Sequence, residues 1–337
     1  MSERSAPDIA QTTLGAAAIA RLVTNGYDRG EVVACELLRR GFNHVYALRF
    51  ANGERAVARL SAERPRRVPN VAYEAALLAH HKAAGCAVAA VYPSREGEPS
   101  ITVALPEGSN PLVLFEYLEG EPPGDVLIDI EATGRGLALL HNAGEGYQGP
   151  TSQYSLDLSH LLHGSLALLV AAPTMTDALR AQYEAVGALV EARLQNYWLL
   201  TRVECHGDCH GNNNFMSDGP TATRIASFFD FDDSGPGYLS YDLSVYLWAI
   251  LPRTVNGVLA DTTLERWRSY IRGYQSVRSL AASDFAAIGP FLAVRNLWLL
   301  GEYAGRAAVW GTQLLPTPVL RKQVELLAFW AEMTTPE

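Results

Sequence analysis

Hydrophobic positions change period along the chain. Residues 9–25 and 31–38 carry helix-like patterns separated by a turn at Gly26 and Gly30. Two alternating runs follow, 45–50 and 55–60, with Ala51-Asn52-Gly53-Glu54 between them. Asn-Gly flanked by alternating apolar residues accepts the left-handed backbone of a tight turn, so this pair reads as a β-hairpin. A helix is predicted over 70–85, with Val71, Ala75, Leu78 and Ala79 spaced along it and Gly85 as its stop. Strands at 100–105 and 112–117 then bracket the turn Pro106-Glu-Gly-Ser-Asn-Pro111.

At Leu118-Glu-Gly-Glu-Pro-Pro-Gly124 the pattern breaks, and this segment is the candidate boundary. Beyond it the periodicity is helical over 128–143, 178–196, 265–277, 283–301 and 319–333, interrupted by a polar loop and a short strand pair within 203–233. The expected fold class is α+β. It has two lobes: residues 1–117, a small antiparallel sheet with helices, and residues 118–337, mainly helical.

Composition narrows the class. Of 337 residues, 48% are hydrophobic and 19% charged, which is globular and too apolar for disorder. Lys plus Arg is 27 against 36 Asp plus Glu, a balance that argues against a nucleic-acid partner. Cys35, Cys86, Cys205 and Cys209 are too few for a disulfide scaffold. The charge-free stretch 163–176 is shorter than the ~18–20 apolar residues of a membrane span. The first twenty residues lack the basic start and apolar middle of an export leader. A cytoplasmic protein without membrane association is expected, its oligomeric state open.

The chemistry concentrates in Glu204-Cys-His-Gly-Asp-Cys-His-Gly-Asn-Asn-Asn-Phe215 and Ile225-Ala-Ser-Phe-Phe-Asp-Phe-Asp-Asp233. Transfer of a phosphoryl group from a nucleotide needs a carboxylate at the attacking hydroxyl and oxygen ligands for Mg²⁺. Kinase catalytic loops supply these as His-x-Asp with an Asn five residues after the Asp. Here His206-Gly207-Asp208 is followed by Asn213, and Asp230 ends an apolar run downstream.

These strings, with Tyr241-Asp242-Leu243, resemble the phosphotransferase superfamily of aminoglycoside phosphotransferases, choline kinases and type II homoserine kinases. Within it, Cys-His-Gly-Asp-Cys-His and Asp-Phe-Asp-Asp look most like the stress response kinase A group. The resemblance spans about residues 41–330 and implies a protein-kinase-like fold, with ATP as co-substrate and Mg²⁺ as cofactor. It implies Asp208 as catalytic base and Asn213 and Asp230 as metal ligands, with Asp232 a further carboxylate near the metal. His206 and Asp242 would brace the loop. Arg59 stands where the family's phosphate-binding lysine is expected, paired with Glu74. Asn43 belongs to a short phosphate-covering turn, and the backbone of Glu116 to Leu118 would meet adenine. The partners implied are a nucleotide and a small-molecule acceptor; a protein acceptor and a non-catalytic nucleotide-binding scaffold are the competing readings.

Other features have plainer readings. Cys205, His206, Cys209 and His210 have zinc-ligand chemistry, but an Asp lies among them, and the cysteines read as buried apolar residues. Asp233 reads as a solvated turn residue and Arg64-Pro-Arg-Arg67 as a solvated loop. Arg295, Trp298 and Glu302 share a helix face. They form either a packed Trp with a structural ion pair or the cover of an acceptor pocket.

Overall fold

The computed structural model describes residues 8–337 apart from 63, 67, 68, 221, 222 and 256–258, so Arg67 lies outside the described residues. Helix α1 (Ala16–Gly26) precedes β1 (Val32–Arg40), β2 (Asn43–Phe50) and β3 (Arg55–Ser61); α2 (Val71–Ala83) follows, then β4 (Val91–Tyr92), β5 (Ile101–Leu105) and β6 (Gly108–Glu116). The strands form one antiparallel sheet in the order β1-β2-β3-β6-β4, with β5 on β6.

Alternation along the strands gives this sheet two different faces. Tyr46, Leu48, Ala56, Ala58, Leu60, Leu112 and Leu114 pack with Ile19 and Val23 of α1 in one cluster. The intervening residues, Val45, Arg59 and Val113, lie opposite one another across β2, β3 and β6. Val113 and Phe115 join the larger cluster that includes α2 and the C-terminal helices. One face therefore closes the small lobe while the other supplies the roof of a cleft.

The second lobe begins with α3 (Leu127–Gly144). Residues Ser159–Gly164 form a π-helical turn that runs into α4 (Ser165–Val170), followed by α5 (Asp177–Arg193). Two short antiparallel pairs come next: β7 (Arg202–Cys205) with β10 (Gly235–Tyr238), and β8 (Asn214–Asp218) with β9 (Arg224–Phe228). Helices α6 (Leu239–Ile250), α7 (Asp261–Gln275), α8 (Ala282–Gly305), α9 (Ala307–Trp310) and α10 (Thr317–Ala331) complete the chain. No helix among the described residues is long and apolar enough to cross a membrane.

Three expectations change. Residues 31–38 form the strand β1 rather than a helix, because pairing with β2 satisfies its backbone at the sheet edge. Helix α6 was hidden in the sequence because burial from Leu239 through Leu247 on every side erases the amphipathic period. Strand β7 opens the predicted 203–233 break, but its partner β10 lies beyond it.

Helices α3 and α7 touch backbone to backbone where Gly134 meets the Tyr270 carbonyl and Gly273 meets the Glu131 carbonyl. A methyl at either glycine overlaps a carbonyl oxygen that cannot rotate away. Gly273→Ala is therefore expected to destabilise the fold by about 1–3 kcal/mol in urea unfolding, the usual range for overpacking.

Candidate active site

The loop between β7 and β8 carries His206, Asp208 and Asn213, and a carboxylate behind it holds its shape. Asp242, in the first turn of α6, accepts the amide hydrogens of His206 and Gly207, each at 2.8 Å. Its Oδ2 also accepts from His141 Nε2 at 2.9 Å, and His141 Nδ1 meets the Tyr274 hydroxyl at 2.8 Å. Burial alone would raise the Asp242 pKa, but the His141 bond, the nearby His charges and the Gly207 amide bring it below the ordinary carboxylate value. Gly207 has φ +84°, and a side chain there would overlap the Asp233 carbonyl. His206 Nδ1 accepts from the Asp208 amide at 3.3 Å, and its Nε2 donates to the Phe229 carbonyl at 3.1 Å. The ring thus ties the loop to the end of β9.

Asp208 and Asn213 meet directly. Asn213 Nδ2 donates to the Asp208 carbonyl at 3.0 Å and to its Oδ2 at 3.2 Å. With its nitrogen so engaged, the amide presents its oxygen as the remaining acceptor. The Asn213 carbonyl accepts the Phe229 amide at 3.0 Å, which sets Asp230 one residue further on. Asp230 is the one non-glycine residue with positive φ (66°) among the described residues. Such a conformation is uncommon for a side-chain-bearing residue and persists where the surroundings impose it. Asn213 and Asp230 line one cavity of about 290 Å³ between the lobes, with Val57, Arg59, Phe115, Glu116, Leu118 and Phe229.

Arg59 faces this cavity from β3. It makes a two-pronged pair with Glu74 of α2, Nη1 to Oε1 at 2.8 Å and Nη2 to Oε2. Its Nη1 lies 3.8 Å from Asp230 Oδ1. Burial would discharge the guanidinium, but Glu74 beside it more than offsets this and pushes its pKa up. The planar fork suits a site that must hold a helix carboxylate and face the Asp230 carboxylate at once. Burial, then Asp232, push the Asp230 pKa well up, against the lowering effect of Arg59.

Several residues stand elsewhere than expected. Arg64 and Arg66 are not solvated, and Asp233 is not an open turn residue. Arg64 bonds Asp233 at 2.6 Å and Asp232 at 3.2 Å, and Arg66 pairs with Asp233. The side chains of these arginines are largely buried, and against the raising effect of burial they hold the Asp233 pKa well below the ordinary carboxylate value.

Asn43 turns towards Asp232 rather than the cavity, donating to its Oδ2 at 2.6 Å. Asp232 thus has one oxygen already engaged. Arg295 Nη2 bonds Asp208 Oδ1, so the expected ion pair on α8 includes the candidate base itself. Trp298 and Glu302 are buried on the same helix. Glu116 pairs with Lys82, and Arg39, near the end of β1 and just past the predicted 31–38 helix, also lines the cavity. Cys205 and Cys209 are buried in the apolar core, and burial, then Asp242, raise their thiols well above the ordinary pKa.

A sheet lobe over a helical lobe, with an Arg–Glu pair and an Asp-Asn-Asp set at their junction, defines a protein-kinase-like phosphotransferase. The chain belongs to the phosphotransferase enzyme family, whose model matches residues 34–280. It is 33% identical to an uncharacterized protein of Deinococcus radiodurans over 98% of this chain and 94% of that one. Stress response kinase A of Escherichia coli is 26% identical over 54% of this chain and 53% of its own length. Among solved structures, a microcompartment-associated aminopropanol kinase superposes with TM-score 0.71 at 22% identity, covering 92% of this chain and 95% of that one. The amicoumacin kinase hAmiN, in complex with AMP-PNP, Ca²⁺ and Ami, gives TM-score 0.72 at 18% identity, covering 95% and 96%. A spectinomycin phosphotransferase with ADP and its antibiotic gives 0.58 at 10% identity, covering 95% and 99%. These structural likenesses carry the fold.

Because folding lowers the Asp242 pKa, its ionised form contributes stability that is complete above the unfolded value, about 3.9, and is lost as pH falls through the folded value. Asp242→Asn removes this contribution. The stability gap between wild type and Asp242→Asn in chemical unfolding is therefore expected to be full near pH 6 and to shrink below about pH 4.

Proposed function

We propose that this protein transfers the γ-phosphoryl group of ATP to a hydroxyl of a small molecule of the amino alcohol, sugar or antibiotic class, with Mg²⁺ as cofactor. The observation that carries this reading is the single network in which Asp208 bonds Asn213, Asn213 shares a cavity with Asp230, and Asp230 faces the Arg59–Glu74 pair. We assign residues 1–117 to covering the nucleotide and 118–337 to base, metal and acceptor.

The apolar part of the cavity, Val57, Ala89, Phe115 and Leu118, suits an adenine ring, with the backbone of Glu116 to Leu118 at its edge. Arg59 stands at the deep end to meet phosphate oxygens. The donor set fits Mg²⁺: an amide oxygen at Asn213 and a carboxylate at Asp230, both on the cavity, with room for the waters and phosphates this ion retains. Asp232, one of whose oxygens is held by Asn43 and Arg64, would contribute through the other. When bound, Mg²⁺ supplies positive charge against the phosphate oxygens.

In the reaction, the acceptor hydroxyl oxygen forms the new bond to the γ-phosphorus while the bond to the bridging oxygen of ADP breaks. The hydroxyl proton passes to Asp208. Asn213 and Arg295 fix the Asp208 carboxylate, so the protein's contribution is orientation and charge placement.

Asp208→Asn keeps the shape of the side chain and removes the base. Its kcat is expected to fall ~10²–10⁴-fold, while nucleotide affinity stays within about threefold, measured by coupled assay and calorimetry. Wild-type turnover in this variant would contradict the assignment. Transfer only to proteins would favour the protein-kinase reading, and Mg²⁺-independent nucleotide binding without turnover would favour a scaffold. Asp230→Asn is expected to weaken Mg²⁺-dependent nucleotide binding about tenfold or more while Mg²⁺-free binding changes little.

A further inference from the structure

Beside the candidate base, aromatic rings and guanidinium groups alternate. Arg253, just after α6, lies 4.0 Å from the centroid of Trp248. Arg295 lies 5.0 Å from the same ring and 4.5 Å from Trp298, and Arg66 lies 5.8 Å from Trp298. Two cations therefore share Trp248 next to Asp208.

Their hydrogen-bonding capacity is not used up. Arg295 is only 2% exposed and gives one N–H to Asp208, and although the Tyr241 hydroxyl lies close to the guanidinium, its Nε and Nη1 make no well-formed hydrogen bond. A buried donor without an acceptor is costly, and a further acceptor brought to these N–H groups would relieve that cost. Arg253 has no ion-pair partner among the described residues. Arg253 is exposed; partial desolvation and the Arg295 charge push its pKa down to about 10, so it stays protonated at neutral pH.

Three of the acidic groups nearby are matched, while Glu302 keeps a buried Oε2 without a hydrogen-bond partner. Asp208 pairs with Arg295, Asp233 with Arg64 and Arg66, and Asp232 with Arg64. Arg66 and Arg64 also act on Glu302, against the burial that raises its pKa. Asp208, Asp232 and Asp233 are thus taken up by arginines, whereas Arg253 has no ion-pair partner among the described residues and Arg295, though paired with Asp208, keeps two further N–H groups free.

Resting on the phosphotransferase reading above, we infer that the acceptor carries an anionic oxygen group, carboxylate or phosphate, besides its hydroxyl. This group binds Arg295 and Arg253, the two cations that lie over Trp248, and presents the hydroxyl to Asp208. The planar guanidinium of Arg295, fixed between two indole rings, is pre-organised for such oxygens. Arg295 also keeps the Asp208 charge from repelling the incoming anion.

The test uses the full chain with Mg²⁺ and ADP, titrated by calorimetry with 3-hydroxypropanoate, glycerol 3-phosphate and 3-amino-1-propanol. The same compounds serve as acceptors with ATP. At least one anion is expected to bind roughly tenfold more tightly than the amine and to be the better acceptor, and the preferred anion distinguishes carboxylate from phosphate. Arg253→Glu is expected to erase that preference, mainly through KM, with nucleotide affinity unchanged. Tighter binding of the amine, binding of none of the three, transfer only to protein, or a preference that survives Arg253→Glu each overturns the inference. Nucleotide binding measured in the same samples separates the two levels. If Mg·ATP binds but the acceptor preference is wrong, only this assignment fails; if Mg·ATP does not bind, the phosphotransferase reading fails with it.

Discussion

One buried carboxylate sets the geometry on which everything else depends. Asp242 gathers the amides of His206 and Gly207 and the ring of His141, and so fixes the path of the loop that carries Asp208 and Asn213. An ionised carboxylate away from water is stable only when its lone pairs are filled, and three donors fill them here. From that fixed loop, His206 reaches the end of β9 and Asn213 bonds the Phe229 backbone, which forces Asp230 into its left-handed turn. A short-range bracket thus becomes a long-range alignment between residues far apart in sequence.

Around this bracket the cleft concentrates charge. Glu74, Asp208, Asp230, Asp232 and Asp233 lie near one another, and Arg59, Arg64, Arg66 and Arg295 hold them together. Buried ion pairs of this kind seldom increase stability over apolar packing, since desolvation offsets most of their attraction. Their value here is positional. Arg64 and Arg66 come from the segment between β3 and α2, and by clamping Asp232 and Asp233 they join the sheet lobe to the helical lobe beside Asp230. Arg59 does the same one layer deeper, linking Glu74 to Asp230.

Much of this was legible in the sequence, for identifiable reasons. Local turn chemistry revealed the hairpin at Asn52-Gly53, and helical spacing revealed α2, α3, α5, α7, α8 and α10 to within a few residues. The candidate site residues Asp208, Asn213 and Asp230 stood out because the chemistry proposed for them imposes residue type and spacing together. What stayed hidden depended on partners distant in the chain. Strand β1 is a strand only because β2 lies beside it, and α6 lost its period through burial on every side. No local pattern could show that Arg64 meets Asp233, or that Arg295 meets Asp208, across separations of 169 and 87 residues. His141, which helps hold Asp242, looked like any histidine near a helix end.

The central claim is that Asp208, Asn213 and Asp230 form one phosphoryl-transfer centre. Its most direct test is a crystal structure of this protein with a non-hydrolysable ATP analogue and Mg²⁺. The account predicts an ion about 2.0–2.1 Å from both the Asn213 amide oxygen and an Asp230 carboxylate oxygen, with the γ-phosphorus facing Asp208. A nucleotide bound outside the cavity, or an ion that touches neither side chain, would contradict it.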